Sequence, residues 1–425
     1  MLELLSLPEI SFPAGFLWGS STAGHQIEGE NRNSQRWFEE LEDPLKYPEH
    51  SGRACNSWEL YDRDIELLKE LKHQAYRMSI EWSRLEPEMG RRDQAALSRY
   101  CDMLEKLKEA GIKVFVTLHH FTHPQWFDKL GGFHKRENIP YFIRHVEHLA
   151  PQISQYVDGW NIFNEFNCAR SLEKNEFKAN CLAAHAGAYS ILKSFSDAPV
   201  STAHALVPWA PYRSEDELDQ KWCELNEWLC NDFFFHAIRT GEVVLPYRDG
   251  EEIPGLKGSA DYWALNYYTR HFVSAREPVE NAPRYTGRRI KMLREDFYLE
   301  EFFPEALITR LARLRDLPVF ITENGCSCDD DRLRIIYIAQ YLASLSEAIR
   351  RGTDVRGYFY WSLLDNYEWG SRTPRFGLVD VNFETFARKP KASASFFREI
   401  IERNGITQQL ILKYLPELKN WQIYR

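Results

Sequence analysis

The chain has 425 residues, enough for a large core, and its 44% hydrophobic and 27% charged residues exclude global disorder. Lys plus Arg is 53 and Asp plus Glu is 62, a formal charge of −9, which argues against a surface built to wrap nucleic acid. Eight cysteines in a chain this long are not a disulfide scaffold, and the Cys326/Cys328 pair lacks the second pair that a zinc site needs.

In chain order, the opening MLELLSLPEI carries acidic residues and Pro8 where a secretory signal would carry a basic region and a long apolar run. No apolar stretch reaches 18 residues, so no membrane insertion is expected, and a reducing cytoplasm is the expected compartment. Short apolar or aromatic runs then alternate with longer amphipathic stretches. The runs span 16–20, 75–80, 112–118, 157–164, 200–206, 262–268, 319–322 and 355–361. Between them, 62–72 (DRDIELLKELK) puts Ile65, Leu68 and Leu71 at helical spacing. The stretch 98–110 does the same and stops at Gly111, and 332–351 is a long amphipathic helix followed by Gly352. Eight such units without a linker or repeat predict an α/β fold, a (β/α)8 TIM barrel, as one domain over 1–425 with enlarged βα loops. A doubly wound sheet is the competing architecture. It is disfavoured because no early Gly-x-Gly-x-x-Gly follows a strand and no Gly-Lys-Ser/Thr phosphate loop occurs.

The barrel demands chemistry at the C-terminal ends of its strands. Those ends are rich in polar and aromatic groups: Gln26 after the first run, TLHHFTHPQW at the third, FNEF at the fourth, LNYY at the sixth, ITENG at the seventh and WSLLDNYEWG at the eighth. Such groups are costly if the purpose is only packing. Glu165 directly follows the fourth run and Glu323 the seventh, 323 − 165 = 158 residues apart, so only the fold can bring them together. A carboxyl pair across a cleft suits glycosidic bond cleavage, one protonating the departing oxygen and the other attacking the anomeric carbon or activating water. Either could instead be a satisfied structural carboxylate. His119, His120 and His123 permit a metal by spacing alone, but the run is not His-Glu-x-x-His, so hydrogen bonding is preferred and no metal or cofactor is expected. Trp18, Trp82, Trp126, Trp361 and Trp369 could all be core, whereas Glu368 needs a polar partner such as a sugar hydroxyl.

Together these segments resemble family 1 of the glycoside hydrolases, the retaining β-glucosidase and β-galactosidase family. The resemblance rests on FPAGFLWGSSTAGHQIEG from Phe12, YRMSIEWSR from Tyr76, TLHHFTHPQW from Thr117 and NIFNEF from Asn161. It continues through ALNYYT from Ala264, ITENG from Ile321, YWSLLDNYEWG from Tyr360 and RFGLVDVNFETFARKPKAS from Arg375. The ordered set covers nearly the whole chain. It implies the barrel and a two-step retaining mechanism with Glu165 as acid/base and Glu323 as nucleophile. It implies Arg77 beneath the nucleophile and Tyr268 in contact with it, with Asn266 in the same polar shell. Gln26, His120, Asn164, Glu368 and Trp369 would hold the sugar over a Trp361 platform, and Phe121 stands where many members have tryptophan.

The resemblance also implies small-molecule β-glycosides or short oligosaccharides as substrates and leaves homo-oligomerisation open. An exo-acting β-glucosidase is the simplest reading. A β-galactosidase, β-fucosidase or transglycosylase on the same scaffold, or a catalytically weak sugar-binding protein, are the alternatives. Asn-Glu-Phe stands in place of the usual Asn-Glu-Pro, the segment after Phe166 is short, and GSRTP before Arg375 is shortened. These departures are expected to alter the aglycone side, and the cationic Arg372 and Arg375 keep a 6-phospho sugar in view.

Overall fold

A computed structural model describes residues 9–168, 174–279 and 301–421. Eight strands form a closed parallel barrel: β1 (Leu17–Ser21), β2 (Ala75–Ser79), β3 (Lys113–His119), β4 (Gly159–Asn164), β5 (Val200–Ala205), β6 (Trp263–Asn266), β7 (Val319–Asn324) and β8 (Val355–Trp361). Each pairs with its neighbours in sequence, and β8 closes on β1 through the register Tyr358 to Trp18. All eight apolar runs read from the sequence are these strands. Helices α1 (Ser57–Glu70), α2 (Gln94–Glu109), α3 (Ile139–Ile153), α4 (Asn175–Phe195), α5 (Phe233–Thr240), α6 (Ala306–Leu311), α7 (Asp331–Arg350) and α8 (Ala392–Arg403) follow the strands in turn.

Local chemistry sets the helix ends. Asp93 caps α2 by accepting from the Ala96 amide at 2.9 Å, Lys106 and Lys108 occupy its last turn, and Gly111 turns the chain at φ +73°. Asp330 caps α7 through the Arg332 amide at 3.0 Å. Among the described residues, no helix is long and apolar enough to cross a membrane.

The lower barrel interior is a small apolar cluster of Ala75, Phe115, Ala203, Tyr262, Ala264, Phe320 and Phe359. Large rings face small residues. Phe115 covers Gly159 and Phe320 covers Gly357, where an added Cβ would come within 2.5 and 2.7 Å of the ring carbons. Truncating one of these phenylalanines to alanine would cost about 3–5 kcal/mol. A much larger apolar shell lies between barrel and helices and contains Trp18 and Trp82, both fully buried.

Candidate active site

Above the apolar floor the interior becomes polar, and strand irregularities decide which polar groups face it. On β2, alternation carries the inward face from Ala75 to Arg77. On β4, Asn161 accepts from the Tyr262 hydroxyl inside the barrel, and Asn164, an odd number of residues later, meets Arg77 inside as well. A register shift between Asn161 and Asn164 makes this work. Strict alternation from Phe320 would send Thr322 inward and Glu323 outward. A second irregularity between Ile321 and Asn324 lets both reach the mouth. Bulges re-aim side chains in this way at functional strand ends.

Glu165 and Glu323 meet there. Arg77 donates to Glu323 Oε1, and Tyr268 donates to its Oε2 at 2.7 Å. Arg77 also donates to Asn164 Oδ1 at 2.6 Å. The Asn266 amide donates to Glu165 Oε1 at 2.8 Å and to Asn164 Oδ1 at 3.0 Å. Burial, and then the negative charge of Glu323, push the Glu165 carboxyl up to about 7. Burial also pushes Glu323 upward, and Arg77 with the Tyr268 hydroxyl opposes that shift.

The opposite wall comes from the loops after β1, β3 and β8. The Gln26 amide donates to Glu368 Oε2 at 3.0 Å, and Trp361 Nε1 donates to Glu368 Oε1 at 3.2 Å. Burial pushes Glu368 up to about 8. The Asn164 amide donates to His120 Nε2 at 3.2 Å. The His120 ring lies nearly parallel to Trp361 at 5.8 Å, and Phe121 meets Trp369 edge-on at 5.4 Å. Gln26 Oε1 and His120 Nδ1 are buried and have no protein partner among the described residues. With Nε2 accepting from Asn164, Nδ1 carries the imidazole proton. The wall therefore presents one free acceptor and one free donor, the pair a hydroxyl group needs.

A sequence profile described as glycosyl hydrolase family 1 matches residues 9–406. The chain belongs to glycosyl hydrolase family 1. A β-glucosidase of Agrobacterium sp. is 30% identical over 91% of this chain and 94% of its own length. A β-galactosidase of Pyrococcus woesei is 28% identical over 94% of this chain and 98% of its own. The solved structure of a β-glycosidase from Pyrococcus horikoshii matches with a TM-score of 0.85 and 35% identity, covering 96% of this chain and 98% of that one.

Within this glycoside hydrolase, the structure gathers every residue expected at the site around one mouth. It alters other expectations. Phe166 does not face an aglycone: it is buried among Phe163, Phe233 and Phe234, with ring centroids 5.9–6.0 Å away. Residues 169–173 of the short segment after it lie outside the described residues. Arg372 donates to the His50 and Ser51 carbonyls and Arg375 pairs with Asp365 and Asp380, so both cations are engaged with the protein itself. His119 and His123 bond each other at 3.1 Å, and His123 contacts Asp128.

Three participants were not read from the sequence. The Cys168 thiol donates to Glu165 Oε2 at 3.5 Å. His25 stacks on Trp369 with rings 5.8 Å apart and 3° from parallel, held by Glu40 at 2.8 Å. Glu81 is a buried carboxylate behind the sugar-facing wall. His25 and Glu81 had a signal, His25 in its place beside Gln26 and Glu81 in the YRMSIEWSR segment at the end of the second run. Backbone conformation was equally hidden: Glu165, Phe121 and Trp369 all have positive φ, of 50°, 64° and 48°. Left-handed backbone is uncommon for non-glycine residues and concentrates where a site is over-determined by its surroundings.

Proposed function

We propose that the protein is an exo-acting retaining β-glycosidase, most simply a β-glucosidase, acting on β-glucosides or short β-linked oligosaccharides through Glu165 and Glu323. The observation that carries this reading is that the two carboxyls share one buried network: Asn266 donates to Glu165, Arg77 and Tyr268 donate to Glu323, and Asn164 Oδ1 accepts from both Asn266 and Arg77. A retaining mechanism asks for two carboxyls about 5–5.5 Å apart, closer than the inverting gap, which must admit water between acid and base.

In the first step Glu323 attacks the anomeric carbon while Glu165 gives its proton to the departing oxygen. A covalent glycosyl-enzyme forms and the aglycone leaves as an alcohol. Esterification removes the negative charge of Glu323, so the Glu165 pKa falls and its carboxylate can take a proton from water. That water attacks the anomeric carbon and releases Glu323. Arg77 and Tyr268 support the leaving carboxylate. Asn164 holds the 2-hydroxyl. Gln26, His120, Glu368 and Trp369 hold the rest of the ring over Trp361, with Phe121 at the edge. The domain comprises the whole of 1–425, and eight cysteines kept as thiols suit work in the cytoplasm.

Proton NMR during early turnover of a nitrophenyl β-glucoside tests the mechanism. The first sugar released is expected to be the β anomer, and initial release of the α anomer would overturn it. A panel of nitrophenyl β-sugars ranks glucose against galactose and fucose.

A further inference from the structure

Glu81 lies just beyond β2 and is buried. Its Oε1 accepts from the His25 backbone amide at 3.2 Å and from the Ser79 hydroxyl at 3.3 Å. Its Oε2 accepts from the Asn31 amide at 2.8 Å and the Thr122 hydroxyl at 2.6 Å. The Ser79 oxygen already accepts from the Gly24 amide at 2.7 Å, which leaves its proton for Glu81. Every side-chain contact is therefore made by a donor, two to each oxygen. A buried carboxylate satisfied in this way is fixed in both position and rotation.

The partners come from two different loops. His25 and Asn31 belong to the loop after β1, and His25 immediately precedes Gln26. Thr122 belongs to the loop after β3, two residues beyond His120. Gln35, also from the loop after β1, links the two loops farther along, donating to the Phe121 carbonyl at 2.8 Å and accepting from the His123 amide at 2.8 Å, whereas Glu81 joins them beside Gln26 and His120. Gly24 closes the arrangement, because a Cβ there would lie 2.8 Å from the Glu81 Cγ and Oε1. The anchor is itself anchored: the Glu81 backbone amide donates to the Tyr100 hydroxyl at 3.1 Å, and Tyr100 donates to Glu28, which pairs with Arg84 at 2.6 Å. Asn31 extends the network sideways, since its amide also donates to His25 Nδ1 at 3.2 Å while its oxygen accepts from Ser83 at 2.7 Å.

We propose that Glu81 is a positioning residue that staples the β1 and β3 loops together and so sets the spacing between Gln26 and His120, and with it the enzyme's affinity and selectivity for the sugar. This rests on the glycosidase reading above. Among the described residues Glu81 hydrogen-bonds neither Glu165 nor Glu323, so its removal acts on sugar binding rather than on proton transfer or nucleophilic attack. A free acceptor on Gln26 and a free donor on His120 serve one ring only if their separation matches its hydroxyls.

Glu81→Gln keeps the shape but turns one acceptor oxygen into an amide that cannot accept from His25, Asn31 or Thr122. The KM for nitrophenyl β-glucoside is expected to rise about tenfold with kcat held within about threefold. Preference between glucoside and galactoside should shift, while the ranking of leaving groups on one sugar stays as in the wild type. Thr122→Val, which removes one donor and adds no charge, should raise KM in the same direction by a smaller factor, and it reads the proposal if Glu81→Gln does not fold. Combining Glu81→Gln with Gln26→Ala should raise KM by clearly less than the product of the single effects, because the two changes act through one contact. An unchanged KM in folded Glu81→Gln or in Thr122→Val, an effect confined to kcat, or a strictly multiplicative double variant would each overturn the proposal. Glucose binding by calorimetry reads the same affinity shift without turnover. A wild type that turns over no β-glycoside defeats the glycosidase reading alone, and equal glucose affinities then defeat the staple.

Discussion

The two walls of the barrel mouth are built differently. Asn164 and Asn266 are the last residues of β4 and β6, Glu323 is the last but one of β7, and Glu165 follows β4 directly, donating its amide to the Ala203 carbonyl on β5 at 2.8 Å. The facing wall takes Gln26, Glu368 and Trp369 from loops and His120 from the residue after β3, and holds them with buried polar groups such as Glu81 and the His25–Glu40 pair at 2.8 Å. The two carboxyls proposed to react thus stand on or directly beside barrel strands, where small misplacements cost most. The sugar-holding atoms stand where sequence can change without disturbing the barrel.

The difference should appear in kinetics, and the catalytic wall should give the largest effects. Glu323→Ala is expected to lower kcat on the order of 10⁴-fold or more, because no glycosyl-enzyme can form. Glu165→Ala should depend on the leaving group: roughly 10²–10⁴-fold slower with alkyl glycosides but a retained first step with dinitrophenyl glycosides. Azide should rescue Glu165→Ala to a β-glycosyl azide and Glu323→Ala, if at all, to the α product. The opposite pattern of products would exchange the two roles.

A smaller effect follows from charge. Because burial and Glu323 hold the Glu165 carboxyl near 7, kcat/KM should fall as pH rises through about 7, when the acid loses the proton it must donate. The limb should approach tenfold per pH unit for poor leaving groups and flatten for dinitrophenyl substrates. In Glu323→Gln the Glu165 pKa should drop, a shift that carbon NMR titration of labelled glutamate can follow. Unchanged titration would mean that the charge of Glu323 does not raise the Glu165 pKa.

The smallest effect should come from the loop wall. Gln26→Ala removes a neutral hydrogen-bonding group and is expected to raise KM about tenfold with little change in kcat. A fall in kcat with unchanged KM would erase the distinction between the walls. Comparing glucosides with galactosides would sharpen it, since only this wall should discriminate between them.

Much of this was legible in the chain before any fold. The eight apolar runs, the helices read from 62–72, 98–110 and 332–351, and the polar residues after each strand all depend on near neighbours, through the periods of 2 and 3.6 and the capping residues. The ordered motifs identified Glu165 and Glu323 and the residues around them. Local pattern could not reveal the register shifts that turn Asn164 and Glu323 inward, because a bulge is set by pairing with another strand. Nor could it reveal that Phe166 packs among Phe163, Phe233 and Phe234, or that Glu81 joins two loops. The sequence by itself determined which elements form and which chemical groups lie at their ends. The closed barrel decided which of those groups meet and which pKa values they take, because burial and contact depend on residues far apart in the chain.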